Sequence, residues 1–258
     1  MNEMISSPAA SKGGRERGIE RVLKLLAYLN ARNQPVRVAD LPKALGAPRS
    51  TTYELVKMLS EAGLLETSPE DSKVFFGRLM YIYGAKFLSH NSLLSRGRVE
   101  VDRLADLTGE TCELCTLHHN RQAILYTRPG SRPMRISSEI GAQFPIPWTA
   151  SGRLLLADNS EAEIGALVTE EDLALPDGDR LSLEAFAEEC RGARNAEIVV
   201  TRGLINSFTQ CLAAPITGTT GATEATICFV LPIDVEPEHR QKLERILIAA
   251  SKSLSMGR

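Results

Sequence analysis

Three groups of residues carry types and spacings suited to chemistry. The first is Arg49-Ser50-Thr51-Thr52-Tyr53, directly after a Gly46-Ala47-Pro48 turn. An arginine there can donate twice to guanine O6 and N7 or meet a phosphate. Short hydroxyls suit phosphates at a helix N-terminus, and a tyrosine can stack on sugar or donate to phosphate. Arg37, Lys43 and Lys57 flank the stretch and Lys73 lies beyond it, each a cation for a phosphate backbone. Ser50 or Thr51 also suits a helix N-cap, which does not exclude a DNA contact. The second group is Trp148-Thr149-Ala150-Ser151-Gly152. Thr149 or Ser151 can cap a helix whose small first residues leave amides open to an anion, which suits a carboxylate. Trp148, the single tryptophan, can wall an apolar or aromatic part of a ligand or serve as ordinary core, and Pro145 and Pro147 stiffen the approach. The third group is Cys112-Glu-Leu-Cys115 with His118-His119. It invites a zinc reading, but residues three apart on a strand face opposite sides, and no second Cys pair follows. Packed, reduced thiols are expected, with no metal and no cofactor.

The elements that must position these groups follow from periodicity. Apolar residues at Ile19, Val22, Leu23, Leu25, Leu26 and Leu29 give one broad helical face. Val38, Leu41, Ala44 and Leu45 predict a short second helix ending at Gly46. A third helix has Leu55, Val56, Met58 and Leu59 on its buried side and stops at Gly63. Residues 64–77 read as two short strands around a polar turn. Three helices and a hairpin make a winged helix-turn-helix, with the third helix placed to enter a major groove. Residues 79–107 are helical in pattern and suit a linker helix between domains, which can also serve as a dimer seam. Beyond Gly109, residues 110–119 and 122–128 predict strands joined by a turn at 119–121, and 134–140 is another strand candidate. Helices are expected from Ser151 to Ala157, over 182–193 and over 237–254, and 225–233 reads as a buried strand. The second half is therefore mixed α and β on an antiparallel sheet.

Length and composition bound the rest. The 258 residues suggest two domains, and 43% hydrophobic with 24% charged residues excludes wholesale disorder, a collagen-like fibre and a disulfide-dense mini-protein. No uncharged apolar run is long enough to span a membrane, and the polar N-terminus does not read as a secretory signal. A cytoplasmic protein with no membrane partner is expected. Residues 1–60 hold ten Lys/Arg against five Asp/Glu, and the remainder 20 against 27. A basic head on an acidic body points to a polyanion partner for the first part alone.

Taken together, these stretches resemble the IclR family of bacterial transcription regulators. RGIERVLKLLAYLNARNQPVRVADLPKALGAPRSTTYELVKMLSEAGLL (17–65) resembles that family's DNA-binding half, with PRSTTYELVKML (48–59) at its recognition helix. FPIPWTASGRLLLA (144–157) lies on its ligand-domain signature, and QCLAAPI (210–216) on a further element. The resemblance covers roughly residues 17–254. It implies an α+β fold: a winged helix-turn-helix (17–78) after a disordered tail (1–16), a linker helix (79–107) and a C-terminal GAF-like α/β effector-binding domain (108–258). It also implies a homodimer or dimer of dimers on a palindromic operator, controlled by a small organic effector, with repression the commoner sense and no enzymatic activity.

The chain departs from the family pattern in three places. Glu54 stands where the family usually has arginine. A carboxylate there either alters the operator sequence, pairs with Arg49 or Lys57, or is an exposed helix charge. Thr201 stands where relatives carry an acid, and Cys228 and Val230 where they often carry serines. With Cys211, these make a less polar cavity, suited to an effector with one anionic or polar end and a larger apolar part. Two other readings remain open. One is a sensor acting through protein partners without DNA, supported only by Glu54. The other is a thiol-dependent hydrolase using Cys115 or Cys211 with His118 or His119, for which no G-x-S-x-G, H-E-x-x-H or Walker loop is present.

Overall fold

The computed structural model describes residues 18–132, 136 and 138–255. The tail at 1–16 lies outside these, as do Met134, Arg135 and Ser137 of the strand expected at 134–140. Chain contacts divide the molecule between His90 and Asn91.

The first unit opens with helix α1 (Gly18–Arg32), which buries Leu25 and Leu29 and leaves Ile19 and Leu23 exposed. Strand β1 (Val36–Arg37) and a 3₁₀ turn lead into α2 (Leu41–Leu45). Gly46 then adopts φ +62°, a left-handed conformation without penalty for glycine, and its N–H meets the carbonyls of Pro42 and Lys43. Helix α3 (Arg49–Glu61) starts earlier than an N-cap at Ser50 or Thr51 requires. Pro48 holds the cap position, and its carbonyl accepts from the Thr52 amide at 3.0 Å and from Thr52 Oγ1 at 3.1 Å. The helix therefore buries Thr52, Val56 and Leu59, spaced i, i+4, i+7, and Met58 faces outward. Strands β2 (Leu65–Thr67) and β3 (Lys73–Phe76) form the wing, with β1 pairing on the other side of β3. Leu25, Leu29, Val38, Leu41, Val56, Leu59, Leu65 and Val74 close one small core. Gly77 allows a tight crossing, because a Cβ there would lie 2.4 Å from the Gly63 carbonyl oxygen.

The expected single linker helix is two helices, α4 (Arg78–His90) and α5 (Ser92–Thr108). Asn91 separates them and caps α5, its side chain accepting from the Leu94 amide at 2.8 Å. Helix α4 buries none of its residues, whereas α5 buries Val101, Leu104 and Ala105 and belongs to the core of the second unit.

That unit is built on a six-stranded antiparallel sheet in the order β6-β5-β4-β9-β8-β7. The strands are β4 (Thr111–His118), β5 (Arg121–Arg128), β6 (Gln143–Pro145), β7 (Val199–Arg202), β8 (Thr209–Thr217) and β9 (Thr223–Pro232). Helices α5 and α9 (Pro237–Leu254) cover one face, around Leu114, Leu212, Ile227, Phe229, Leu243 and Leu247. On the other face lie α6 (Ala150–Leu155), α7 (Glu161–Leu167) and α8 (Leu183–Gly192), packed around Ile124, Leu154, Ala213, Leu156 and Phe186. Strand alternation puts Cys112 and Leu114 under the first helix layer, and Glu113 and Cys115 on the opposite face, where the cavity lies.

Candidate functional site

In the first unit, α3 presents Arg49, Ser50, Tyr53 and Lys57 to solvent, with Thr51 half-buried. Arg49 lies over the Tyr53 ring, 5.3 Å from its centroid, and its guanidinium donates to the Tyr53 hydroxyl at 3.4 Å. The two side chains thus form one exposed arginine–tyrosine pair. Arg37 and Lys43 are exposed as well. One of the expected contacts changes. Thr52 is 2% exposed with its hydroxyl spent on Pro48, so it serves the helix start and not a DNA surface. In the wing, Lys73 sits 2.7 Å from Asp71, and this lysine holds the Asp71 carboxyl down to about 2. Glu54 is exposed and pairs with neither cation considered for it: Arg49 turns to Tyr53, and Lys57 to Glu61 at 3.8 Å.

In the second unit a cavity of about 450 Å³ lies over the sheet. Its floor carries Glu113 and Cys115 from β4, Cys228 from β9, Cys211 from β8 and Thr201 from β7. Trp148, Thr149 and Ser151 form one wall, and Phe144, Leu204 and Ile205 add apolar surface. Thr149 caps α6 by accepting from the Gly152 amide at 2.9 Å. That bond consumes one of the amides expected to meet an anion. Ala150 and Gly152 do not line the cavity. They are buried inside α6, and a Cβ on Gly152 would stand 2.1 Å from the Ile146 carbonyl oxygen, so this glycine is required for packing. Arg153 turns away, donating to the carbonyls of Pro147 and Thr149 and pairing with Glu189 at 2.6 Å.

Trp148 is held in place by an anchored loop. Its Nε1 donates to the Asp172 carbonyl at 2.9 Å. The Asp172 carboxylate meets Arg121 at 2.7 Å and accepts from the Thr169 amide and hydroxyl.

Sequence reasoning missed Glu113, the acid of this cavity. It comes from β4 and not from the region of Thr201. Burial pushes its carboxyl up to about 8, aided by the charge of Cys228, so it carries a proton at neutral pH. One oxygen accepts from Ser138. The available signal was a lone Glu inside an otherwise apolar strand pattern, sharing a face with Cys115 at i+2. Cys228 lies centrally among the thiols. Hydrogen bonds from Cys115 and Cys211 hold it below the ordinary thiol range, and the same bonds hold those two thiols up. Ser151 accepts from Thr226 at 2.8 Å and donates toward Cys228 at 3.9 Å.

The thiol-hydrolase constellation does not assemble. His118 and His119 are exposed at the β4–β5 turn, Cys115 is buried, and no Cys–His hydrogen bond occurs among the described residues. The Cys112–Cys115 zinc pair does not form either, since the two thiols lie on opposite faces of the sheet. No helix of the described residues is long and apolar enough to cross a membrane.

Comparison with known proteins agrees with this arrangement. The model described as the IclR helix-turn-helix domain matches residues 18–69, and that of the bacterial transcriptional regulator IclR C-terminal matches residues 85–256. The Acetate operon repressor of Salmonella typhimurium is 28% identical over 166 residues, 62% of this chain and 61% of that protein. The Transcriptional repressor IclR of Escherichia coli is 27% identical over 157 residues, 60% of this chain and 57% of that protein. The match thus spans about 60% of the length of these two curated relatives. The repressor AllR of Escherichia coli is 22% identical over 228 residues, 88% of this chain and 83% of that protein. Among solved structures, an IclR transcriptional regulator from Alicyclobacillus acidocaldarius superposes with a TM-score of 0.79 at 17% identity, covering 94% of this chain and 98% of that one. An IclR homolog from Microbacterium hydrocarbonoxydans complexed with 4-hydroxybenzoate gives 0.78 at 21% identity, covering 93% and 98%. These relatives are transcriptional regulators, not enzymes, and with a helix-turn-helix unit ahead of a cavity-bearing antiparallel sheet unit, this chain belongs to the IclR family of bacterial transcriptional regulators.

Proposed function

We propose that this chain is a sequence-specific DNA-binding regulator of transcription, a repressor in its ordinary sense, controlled by a small organic acid bound in the cavity of the second unit. The observation that carries the reading is the cavity itself. It has a size ordinary for small-ligand sites, mostly apolar walls and a few polar groups gathered on the floor. Its walls suit an aromatic or aliphatic body against Trp148, Phe144 and Ile205. Protonated Glu113 and the hydroxyls of Ser138 and Ser151 suit a carboxylate or hydroxyl end. The 4-hydroxybenzoate named for a structural relative has this chemistry, which supports the class and not the compound.

On the DNA side, the reading assigns base or phosphate contact to Arg49, phosphate contact to Ser50, Thr51 and Tyr53, and backbone positioning to Arg37, Lys43, Lys57 and Lys73. Exposed Ile19 and Leu23 on α1, and Tyr81, Tyr83 and Phe87 on α4, support association into a homodimer or dimer of dimers on a palindromic operator. The effector acts by binding more tightly to one of two states that differ in operator affinity.

The test is fluorescence anisotropy on the intergenic DNA upstream of the chain's own gene, against a scrambled duplex, at several salt concentrations. The reading expects preferential binding with a steep salt slope, altered by one of a panel of organic acids. Equal binding to both duplexes removes the sequence-specific reading and favours a sensor acting through protein partners.

A further inference from the structure

The floor of the cavity carries a second arrangement that an organic effector does not require. Glu113 Oε2, Cys115 Sγ and Cys228 Sγ form a triangle with edges of 3.7 Å between the sulfurs and 3.9 Å from each sulfur to the oxygen. All three side chains are buried, and all three line the cavity. Around a tetrahedral zinc ion, sulfurs at about 2.3 Å and a carboxylate oxygen at about 2.0–2.2 Å stand roughly 3.5–3.8 Å apart. The observed triangle is that face of a tetrahedron within a few tenths of an ångström, and a point about 2.3 Å from all three atoms lies roughly 0.6 Å out of its plane, close to where the centre of a tetrahedron stands above its face.

We propose that Glu113, Cys115 and Cys228 form a three-ligand site for a thiophilic divalent cation, zinc(II), with its fourth position open to the cavity. The sheet itself builds the site. On β9, Cys228 stands opposite Glu113 of β4, and Cys115 stands opposite Thr226, one step along the same face. Two paired strands thus present three ligands without a loop. The usual sequence signature of paired cysteines a few residues apart is therefore absent, and the apparent signature at Cys112–Cys115 is misleading.

Outer contacts of the kind that orient metal ligands are present. Ser138 bonds the other oxygen of Glu113. The Ser151 hydroxyl, itself held by Thr226, approaches Cys228. Binding displaces the protons of the thiols and of Glu113 to solvent, leaving the cation against two thiolates and a carboxylate. With three protein ligands the ion keeps one exchangeable position, which a water, or the carboxylate or hydroxyl of an organic acid, can occupy. The site rests on the cavity being a ligand site, and it adds a cation to the chemistry recognised there.

The experiment uses the full chain, reduced and stripped with a chelator, titrated with cobalt(II) as a spectroscopic stand-in and then with zinc(II) in competition. One equivalent of cobalt is expected to give thiolate-to-metal charge transfer and tetrahedral ligand-field bands, bleached by zinc. Losing an outer partner of a metal ligand costs roughly 10–100-fold in affinity, so losing a ligand sulfur in Cys228→Ser should cost at least that. Glu113→Gln should weaken binding while keeping the charge-transfer band. Cys190→Ser, in the α8 core, should leave the spectrum unchanged. Circular dichroism melts establish that each variant folds, and Glu113→Gln, the near-isosteric change, stands in if Cys228→Ser does not. Absence of the thiolate band at a small molar excess of cobalt overturns the site, as does a spectrum indifferent to both Cys228→Ser and Glu113→Gln. Cobalt binding with no organic acid affecting DNA binding refutes the effector reading alone. An effector response without cobalt binding refutes the metal site alone.

Discussion

Asp172 offers a quantitative test of how the cavity wall is held. Its side chain is 2% exposed and that of Arg121 15%, and they meet at 2.7 Å. Asp172→Asn keeps the shape and an acceptor for the Thr169 amide and hydroxyl, removes the charge, and turns an NH2 donor toward Arg121 where an acceptor stood. Breaking a buried ion pair from one side costs about 3–5 kcal/mol, because the remaining charge is left desolvated. Arg121 keeps a hydrogen bond to the Asn120 carbonyl at 3.1 Å and some contact with solvent. The lower end, about 3 kcal/mol, is therefore expected. Combining Asp172→Asn with Arg121→Met removes the stranded charge, so the double variant should be more stable than the single one. Urea unfolding followed by tryptophan fluorescence is the natural assay. Trp148 is the only tryptophan and bonds the Asp172 carbonyl, so its emission reports this unit. A cost below about 1 kcal/mol for Asp172→Asn, the level of an exposed pair, would refute the argument. So would a double variant no better than the single one.

Three further outcomes are expected. Arg49→Ala should lower operator affinity by about 1–3 kcal/mol if the arginine reads a guanine. If it meets only phosphate, it should weaken all duplexes alike and reduce the salt slope by about 0.9. Anisotropy over a salt series distinguishes these cases, and unchanged affinity and slope would remove Arg49 from the interface. Thr149→Ala should cost about 0.5–2 kcal/mol through loss of the α6 cap, with Thr149→Ser restoring most of it in the same urea assay. Gly152→Ala should lower the melting temperature sharply, because its Cβ meets backbone and not a movable side chain. Overpacking of this kind costs about 1–3 kcal/mol or more, and a wild-type melt would show that α6 shifts freely.

The sequence was legible where one residue type decides local geometry. Gly46 and Gly63 end their helices in the left-handed region, and Thr149 caps α6, each for a reason carried by a single residue. It was less legible where two rules competed. Apolar periodicity runs on through 79–107, so the Asn91 cap that breaks it was outweighed. Thr52 looked like part of a polar reading face. Once α3 starts at Arg49, however, its phase with Val56 and Leu59 turns Thr52 inward and Met58 outward. The two-residue β1 is too short to leave a period. Trp148, Thr149, Ser151, Thr201, Cys211 and Cys228 line one cavity, while Ala150 and Gly152 lie buried inside α6. Glu113 stayed hidden because its neighbours are set by pairing between β4 and β9, more than a hundred residues apart in the chain.

The sheet of the second unit has long central strands and meagre borders. Its outermost members are β6, three residues ending in Pro145, and β7, four residues. An edge that short offers few free amides and carbonyls to an incoming strand, and proline removes one more donor. Among the described residues, continuation of this sheet from molecule to molecule is thereby disfavoured at both sides. An association of copies that ran through side-chain surfaces instead would have an affinity that evolves one substitution at a time and contacts that can be undone without unzipping a backbone ladder.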